Sequence, residues 1–572
     1  MTTERPAASQ AKSTSADTWP TYSGSKGLDK PRVVVLGSGW AAISFLKALK
    51  QHAADKYEIV LVSPRNYFLY TPLLPAVATG TIEERSIVEP VRRLIGKKGK
   101  YFEAVVQDID PADKSLVACF PLDANLGEAC FKLPYDILVI GVGSVNNTFG
   151  IEGVTEHCFF FKGIRDAQKL RRQISECFER ASLPQTPTEE RQRLLSFVIV
   201  GGGPTGVEVA AELHDTIQQD LVKLYPELVP DVRIRIIELM DHVLSTYDRA
   251  ISTYTGEQFK RAGIELVLNS KVVAVQKNSV RVVDKQGNKT DIPFGAAVWS
   301  TGVAMHPLIK QLQAKLPEGT QTHFRSIVTD EYLCVKGSNG TIYALGDAAT
   351  IEQERALDHV GELWERADVD KDDKLQLLEI RNILRDASAR FPQFEEHARF
   401  LDGKVGAKRF GGIVANALAG ARAKNEPQKH TKPNDPIWGD LDFDEKTEVT
   451  REQFEDMLKK IDSGLRALPA TAQVAKQQGE YLAKLMDKTK LEAGKPVHTS
   501  QKPFKYGHKG AFAYVGGDKA VMDSPLGKVT GLGAGVLWRG FETYSQFSFR
   551  NVVLVSLDWA RTKIFGRDIS RV

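Results

Sequence analysis

The sequence predicts an α/β protein built on two Rossmann-like dinucleotide-binding domains, with a helical insertion and a C-terminal amphipathic region. Three observations predict it. An apolar strand runs straight into a glycine-rich turn and then a helical pattern, twice, roughly 160 residues apart. Strand and helix patterns alternate through residues 32–350, the mark of a parallel sheet. Residues 353–465 break that alternation, being helical and charged with two acidic clusters.

At 572 residues the chain is too long for one ordinary domain. Its composition, 42% hydrophobic and 26% charged, excludes a fibrous or wholly disordered protein. No apolar run approaches the ~20 residues of a spanning helix, so neither a polytopic membrane protein nor proton pumping is expected. The net charge of +4, from 76 basic and 72 acidic residues, gives no reason to expect nucleic acid. Cys119, Cys130, Cys158, Cys177 and Cys334 form no C-x-x-C and no zinc spacing, which argues against a disulfide framework or a structural metal. Residues 1–30 lack the large aliphatics needed to fold and read as a tail or a targeting segment.

The first turn is Gly37-Ser38-Gly39-Trp40-Ala41-Ala42, after the strand 33–36. Gly37 and Gly39 allow a tight turn and close approach of a pyrophosphate to the helix N-terminus; Ala42 is small enough for helix–strand packing. The next strand, 58–62, ends at Ser63, where an acidic residue usually holds a ribose. The second turn is Gly201-Gly202-Gly203-Pro204-Thr205-Gly206, with Gly201, Gly203 and Gly206 in the three glycine roles and a helix running to about Leu224. The strand that follows ends at Glu238, a carboxylate that can accept both ribose hydroxyls of NADH and repel the 2′-phosphate of NADPH. Two such loops imply two dinucleotides, most simply FAD and NAD(P)H. A third strand, 341–345, runs into Gly346-Asp347, placing a carboxylate where it can reach the ribityl chain of a flavin.

With these motifs in place, the chain resembles the type II (alternative, single-subunit) NADH:quinone oxidoreductases over about residues 32–350 and 466–572. The resemblance is carried by Ser63 to Pro75, Arg85 to Pro90, Trp299-Ser300-Thr301-Gly302, Ala472-Gln473-Val474-Ala475-Lys476-Gln477-Gln478-Gly479, Phe504-Lys505-Tyr506 and Phe565-Gly566-Arg567-Asp568. It implies an FAD domain at 31–165 and 306–352, an NADH domain at 166–305, an insertion at 353–465, a quinone and flavin segment at 466–515 and a membrane-anchoring region at 516–572. It further implies FAD, NADH and a quinone, with Thr301 and Gly302 at the cofactors, and Glu208 beside the nicotinamide. By spacing alone Gln473 and Gln477 are one helical turn apart on a polar face; the resemblance places them at the quinone and the flavin edge. Four residues after Trp538 the family often has tyrosine and this chain has Glu542, which puts an aromatic lid in doubt unless Tyr544 substitutes. A sulfide:quinone oxidoreductase, with Cys158 and Cys334 at the flavin, and a non-catalytic calcium-responsive flavoprotein are the alternatives. A glutathione-reductase-like enzyme is excluded, because no C-x-x-x-x-C follows the first loop.

The insertion looks like the EF-hand insertion of calcium-linked, external mitochondrial members, which implies the inner membrane, peripherally, on the intermembrane-space side. Asp368, Asp370, Asp372 and Glu379 fall at positions 1, 3, 5 and 12 of such a loop, with the Lys374 carbonyl at 7, Leu375 at 8 and Gln376 at 9. Asp373 replaces the usual glycine at position 6, which weakens binding without abolishing it. Calcium there is expected to change how the insertion packs and to raise activity or membrane affinity. A second hand starting at Asp442 and Asp444 has Lys446 and Gln453 at ligand positions, with Glu452 adjacent, and reads as a structural partner. In the C-terminal helix pattern Val552, Val553, Trp559, Ala560 and Ile564 share one face, opposite Arg550, Asp558 and Arg561. Residues 536–572 carry six basic and three acidic groups, the pattern of a helix in a lipid surface or at a homodimer interface.

Overall fold

The computed structural model describes residues 19–24, 30–120, 129–395, 397–399, 401, 448–465, 467–488, 501–525 and 527–570. The chain divides into two compact units, Met1–Thr350 with Ala470–Val572, and Ile351–Pro469. The larger unit contains two five-stranded sheets, parallel throughout. The first runs in the order Ile342–Ala344, Ile137–Ile140, Arg32–Leu36, Glu58–Ser63, Gly99–Glu103. The second runs Phe159–Phe160, Ala296–Trp299, Ser196–Val200, Arg233–Ile237, Ile264–Val267. Val33 to Leu36 and Phe197 to Val200 are buried, as strands covered on both faces must be, which is why they read as unbroken apolar runs. Both glycine turns leave the C-terminal ends of these central strands, where ligands of open parallel sheets bind. The helix after the second turn comes in pieces: Pro204–Thr216, a π turn at Ile217–Leu221, then Val222–Leu224.

The N-terminal tail is shorter than expected. Tyr22 donates its N–H to Lys132 O at 2.8 Å and its hydroxyl to Glu58 at 2.9 Å, and packs edge-on against Phe102. The targeting expectation concerns residues 1–30, of which 1–18 and 25–29 lie outside the described residues. The cysteine expectation is also corrected in one respect: Cys119 and Cys130 form a disulfide. They stand opposite each other on antiparallel strands Ser115–Cys119 and Cys130–Pro134, a register that their sequence spacing does not reveal.

After the helix Ala472–Lys488, a three-stranded antiparallel sheet (Ala511–Gly516, Lys519–Ser524, Gly527–Gly531) leads into two helices, Leu532–Tyr544 and Phe549–Phe565. Leu532–Tyr544 buries Trp538 and Ala534, and the inner face of the last helix is mixed. Beside the fully buried Val555, Asn551 donates to Val88 O at 3.1 Å and Asp558 accepts from Glu83 N at 3.0 Å, while the half-exposed Arg561 pairs with Glu83 at 2.7 Å and Thr562 donates to Thr81 O at 2.8 Å. The outer faces are apolar, with Val536 69% exposed and Ile564 72%, and Leu537, Tyr544, Phe549 and Leu557 exposed beside them. Two expectations change with this. Trp559 turns inward, edge-on to Trp538 at 5.7 Å and under the Arg539 guanidinium, and is not part of the outer face. Four of the six basic groups are not a free fringe: Arg539 and Lys563 pair with Asp518, Arg561 with Glu83 and Arg567 with Asp220, so their charge ties this region to its own chain, while Arg571 lies outside the described residues. No helix of the described residues is long and apolar enough to cross a membrane.

The smaller unit has its own core, including Leu363, Trp364, Ile380, Leu384, Phe454 and Leu458. Leu375–Gln376 pairs antiparallel with Glu448–Val449, Leu375 opposite Val449. These are position 8 of the two expected loops, so the short strand pair joins the two loop positions directly. The remaining residues of the second hand, Asp442, Asp444 and Lys446, lie outside the described residues.

Candidate functional site

The first turn is shaped by what its glycines exclude. Gly37 has φ +99°, and a Cβ on it would overlap the Gly141 carbonyl; Gly39 has only that same oxygen nearby, at 4.0 Å, so its face is open. The helix Trp40–Ala48 starts there and directs its unpaired N–H groups at that opening. Ser63 is buried and donates its hydroxyl to Ser38 at 3.0 Å, so the serine that stands in for the usual acid braces the loop. Asp347 accepts from the Ser144 hydroxyl at 3.0 Å, and Lys162 donates to the same hydroxyl at 2.9 Å. Burial holds the Lys162 ammonium below its ordinary pKa, opposed by Asp347.

The second turn repeats the geometry. Gly201 has φ +109°, a Cβ on Gly203 would meet nothing within 4 Å, and one on Gly206 would overlap Gly201 O, so Gly206 is the close helix–strand contact. Glu238 accepts from Gly202 N at 2.6 Å and Met240 N at 2.9 Å, which fixes its carboxylate at the rim of the turn. Thr301 lies against Gly201, and Gly302 has φ +76° with no room for a Cβ beside Phe149. Both cradles fit a dinucleotide: open glycines, an exposed helix N-terminus, and an acid or hydroxyl at the following strand.

The helix Ala472–Lys488 welds to the first cradle. Gly479 lies on the backbone of Ala41 and Phe45, Ala475 lies under Gly346, and the buried Gln478 accepts from Gly346 N at 2.6 Å. In the sequence Gln478 and Gly479 stand out only by likeness; a glycine in the middle of an otherwise strong helix is the signal that marks the contact. Gln473 and Gln477 project from the same helix and hold the following segment. Gln473 donates to Gly510 O at 3.2 Å and accepts from the Tyr506 hydroxyl at 2.8 Å and Lys509 N at 2.9 Å. Gln477 donates to Gly507 O at 2.8 Å and accepts from Gly507 N at 2.9 Å. Each side-chain amide has a second N–H to offer a ligand.

Glu208, in the first turns of the Pro204–Thr216 helix, accepts from Tyr514 N at 3.2 Å. Its carboxyl is held well above the usual range, first by burial and then by the charge of Glu542. Glu542 is itself buried, accepts from the Tyr70 hydroxyl at 2.8 Å, and is pushed by burial up to about 7. Tyr544 points away, 86% exposed, and does not replace the missing aromatic lid.

In the insertion, ligand oxygens of Asp368, Asp370 and Asp372 lie within 4.8 Å of one another. Asp373 adopts φ +61°, the left-handed turn that position 6 demands. Glu379 accepts from Val369 N at 3.1 Å and Gln376 N at 3.0 Å, closing the loop across its ends. The Lys374 side chain pairs with Glu448, which leaves its carbonyl as the ligand group. The donor set fits a hard cation.

Burial pushes the Cys158 thiol up to about 12 and that of Cys334 to about 11, the reverse of what a sulfide-reactive cysteine needs.

Comparison with known proteins agrees. Residues 31–368 match the pyridine nucleotide-disulphide oxidoreductase family, and residues 508–568 match the NDH2 C-terminal domain. The external alternative NAD(P)H-ubiquinone oxidoreductase B2, mitochondrial, of Arabidopsis thaliana is 40% identical over 96% of this chain and 91% of its own length. The external alternative NADH-ubiquinone oxidoreductase of Yarrowia lipolytica is 32% identical over 95% of this chain and 81% of its own. The structure of NDH2 from Plasmodium falciparum in complex with NADH superposes with a TM-score of 0.76 at 28% identity, covering 95% of this chain and all of that one. A sulfide:quinone oxidoreductase from Aquifex aeolicus shares the fold, with a TM-score of 0.56 at 15% identity. The two cradles, the glutamine helix locked onto the first of them, and these likenesses together place the chain in the type II, alternative NAD(P)H–ubiquinone oxidoreductase family.

Proposed function

We propose that this protein transfers electrons from NADH to a membrane quinone through one non-covalently bound FAD, without pumping protons. The helix Ala472–Lys488 carries the reading: it packs against both elements of the first cradle and presents Gln473 and Gln477 beside them. FAD, when bound, accepts hydride from NADH and passes the electrons on. Gly37, Gly39, Ala42, Ser63 and Asp347 would hold it; Gly201, Gly203, Gly206 and Glu238 would hold NADH, with Thr301 and Gly302 lining the space between. Gln473 and Gln477 would offer their spare N–H groups to a quinone carbonyl. The experiment is an anaerobic absorption spectrum of the purified protein: NADH bleaches the flavin, and quinone restores it. A flavin that NADH leaves unbleached would favour the non-catalytic calcium-responsive scaffold.

Glu238 sets the choice of nicotinamide cofactor. Its fixed carboxylate repels a 2′-phosphate, and Glu238→Gln removes that charge while keeping the shape. The expected result is a fall of about tenfold in NADH-over-NADPH selectivity, equivalent to about 1.4 kcal/mol. Steady-state kcat/KM with each cofactor measures it, and unchanged selectivity removes Glu238 from the role.

The apolar outer faces of Leu532–Tyr544 and Phe549–Phe565 support peripheral attachment to a lipid surface, at the mitochondrial inner membrane on the intermembrane-space side, with a homodimer as the competing occupant of the same face. Because Arg539, Arg561, Lys563 and Arg567 are paired internally, attachment rests more on apolar burial, at roughly 25 cal/mol per Å², than on anionic lipid. Deleting the region would remove buried groups as well, so the cleaner test is Val536→Glu with Leu557→Glu. Flotation with neutral liposomes is expected to fall more than tenfold, while NADH reduction of a soluble dye is retained. Undiminished flotation refutes the lipid contact, and loss of dimer mass in its place assigns the face to a second copy.

Calcium is the proposed ligand of Asp368, Asp370, Asp372, Glu379 and the Lys374 carbonyl. Glu379→Gln removes one of four carboxylates and is expected to weaken binding at least tenfold by calorimetry. Turnover measured in calcium and in chelator tests the regulatory role separately. Absence of binding heat in the unsubstituted protein ends the proposal.

A further inference from the structure

Glu542 has no place in the reading so far, yet it is a buried acid, with no cation paired to it among the described residues, set between the apolar outer helices and Glu208. The arithmetic of the reaction calls for such a group. NADH gives up one hydride, which carries two electrons and one proton. Converting a quinone to its quinol takes two electrons and two protons. One proton per turnover therefore comes from elsewhere.

We propose that Glu542 is the acid that supplies this second proton, with Tyr70 holding its carboxyl in place and Glu208 as the neighbouring proton-exchanging group; this rests on the quinone reading above. The carboxyl O–H bond of Glu542 breaks as an O–H bond forms on the quinone oxygen, and the resulting carboxylate takes a proton from water before the next turnover.

The geometry supports a position at the substrate. Glu542 lies on the helix Leu532–Tyr544, whose outer face exposes Val536 and Leu537, the side from which a lipid-soluble substrate arrives. The inner face of that helix packs on the strand Ala511–Gly516, with Trp538 stacked on Tyr514 at 4.8 Å and Phe541 on Phe512 at 5.3 Å. That strand begins just after Gly510, the acceptor for Gln473, and its Tyr514 N–H is the donor to Glu208. One short strand thus joins the amide helix, Glu208 and the helix of Glu542. Tyr70, which donates to Glu542, packs at 5.2 Å from Trp40 at the mouth of the first cradle. The titratable groups facing Glu542 are Tyr70, Glu208 and Tyr247. None of the three is a cation; the Tyr70 hydrogen bond favours the carboxylate form, and burial outweighs it. Buried carboxyls poised near neutral pH are suited to giving and regaining a proton at working pH, which a phenol at about 10 is not.

The sign of the pH effect follows. The acid form is required, so quinone turnover falls as pH rises through about 7. Ferricyanide takes electrons without protons and serves as the internal comparison. The experiment measures NADH–quinone and NADH–ferricyanide turnover from pH 5.5 to 8.5 for the unsubstituted protein, Glu542→Gln and Glu542→Asp, with the infrared band of a protonated carboxyl recorded over the same range. Expected are a quinone loss in Glu542→Gln at least fivefold greater than its ferricyanide loss, disappearance of the ionisation near 7 from the quinone profile, and its retention, displaced, in Glu542→Asp. Loss of the titrating carboxyl band in Glu542→Gln ties the ionisation to this residue. An unchanged quinone-to-ferricyanide ratio with an unchanged profile in Glu542→Gln overturns the proposal. If Glu542→Gln does not fold, a Glu542→Asp profile that coincides with that of the unsubstituted protein overturns it. Ferricyanide reduction with no quinone reduction in the unsubstituted protein would instead overturn the underlying quinone reading.

Discussion

Arg567→Met is expected to be the most destabilising single substitution in the larger unit, costing about 3–5 kcal/mol. The Arg567 side chain is 5% exposed. Its guanidinium donates to the Thr81 hydroxyl at 2.8 Å and Gln219 at 2.8 Å, pairs with Asp220 at 2.9 Å, and lies 3.9 Å from the buried Glu212. Methionine replaces the packing of the stem and none of the charge. Two acids are then left buried without their cation, which is the costly way to break a buried pair. The π turn that carries Asp220 into reach also loses its reason to persist. A pH dependence accompanies the loss. The Glu212 carboxyl is already held above its ordinary pKa by burial, with Arg567 pulling the other way. Without Arg567 the carboxyl rises further. A carboxyl whose folded pKa exceeds its unfolded one costs stability as pH climbs past the unfolded value, so the deficit is larger at pH 8 than at pH 5. Denaturant unfolding of both proteins at the two pH values measures it, and Glu212→Gln in the Arg567→Met background is expected to recover part. A loss below about 1 kcal/mol at both pH values would show that the network contributes little.

Arg567 also illustrates what the sequence conveys and what it hides. The two nucleotide cradles were legible, because strand burial and glycine turns are local, and their spacing survives in one dimension. The acidic loop from Asp368 to Glu379 was legible as geometry as well, including the left-handed aspartate at its sixth position; calcium there is the proposal made above. The Phe565-Gly566-Arg567-Asp568 string was visible as a likeness, but not the partners of Arg567, which lie some 350 residues away at Asp220 and Glu212. A still longer separation hid Tyr70 from Glu542, whereas Cys119 and Cys130 are only 11 residues apart and were hidden by strand register. The C-terminal helix is a mixed case. Its apolar stripe lies outward, as a lipid or dimer face requires, but Trp559, counted on that stripe by periodicity, turns inward; periodicity alone does not say which face is inward. The usual assumption puts apolar residues inside. Here Asn551 and Asp558 are buried beside Val555 and Trp559, satisfied by Val88 and Glu83, and the rest of the apolar stripe is outside. Only the hydrogen-bond partners, contributed by a segment nearly 470 residues earlier, decide that orientation.

Gly479→Val is expected to yield a folded protein that does not retain flavin. The helices Ala472–Lys488 and Trp40–Ala48 cross at Gly479 with their backbones in contact. A Cβ there would overlap Ala41 O and lie 2.8 Å from Phe45 N. Both are main-chain atoms of the helix whose N-terminus faces the first cradle, so no side-chain rotation relieves the clash. The helices must separate, at about 1–3 kcal/mol for overpacking of this kind. Separation also carries Gln478 away from Gly346 N, the 2.6 Å hydrogen bond that fixes the Gly346-Asp347 turn on the other side of the cradle. The pyrophosphate end and the Asp347 end of the site then move apart, and flavin affinity bears the cost. At about 1.4 kcal/mol per tenfold, FAD binding weakens by roughly one to two orders of magnitude. Gel filtration at micromolar protein, followed by the flavin-to-protein absorbance ratio, reads it directly, with Gly479→Ala giving a smaller loss in the same direction. NADH binding at the second cradle, followed by its fluorescence, is expected to persist, which separates a local defect from general unfolding. A Gly479→Val protein with full flavin content would mean that the two helices can part without opening the first cradle, and that its geometry is held by the sheet alone.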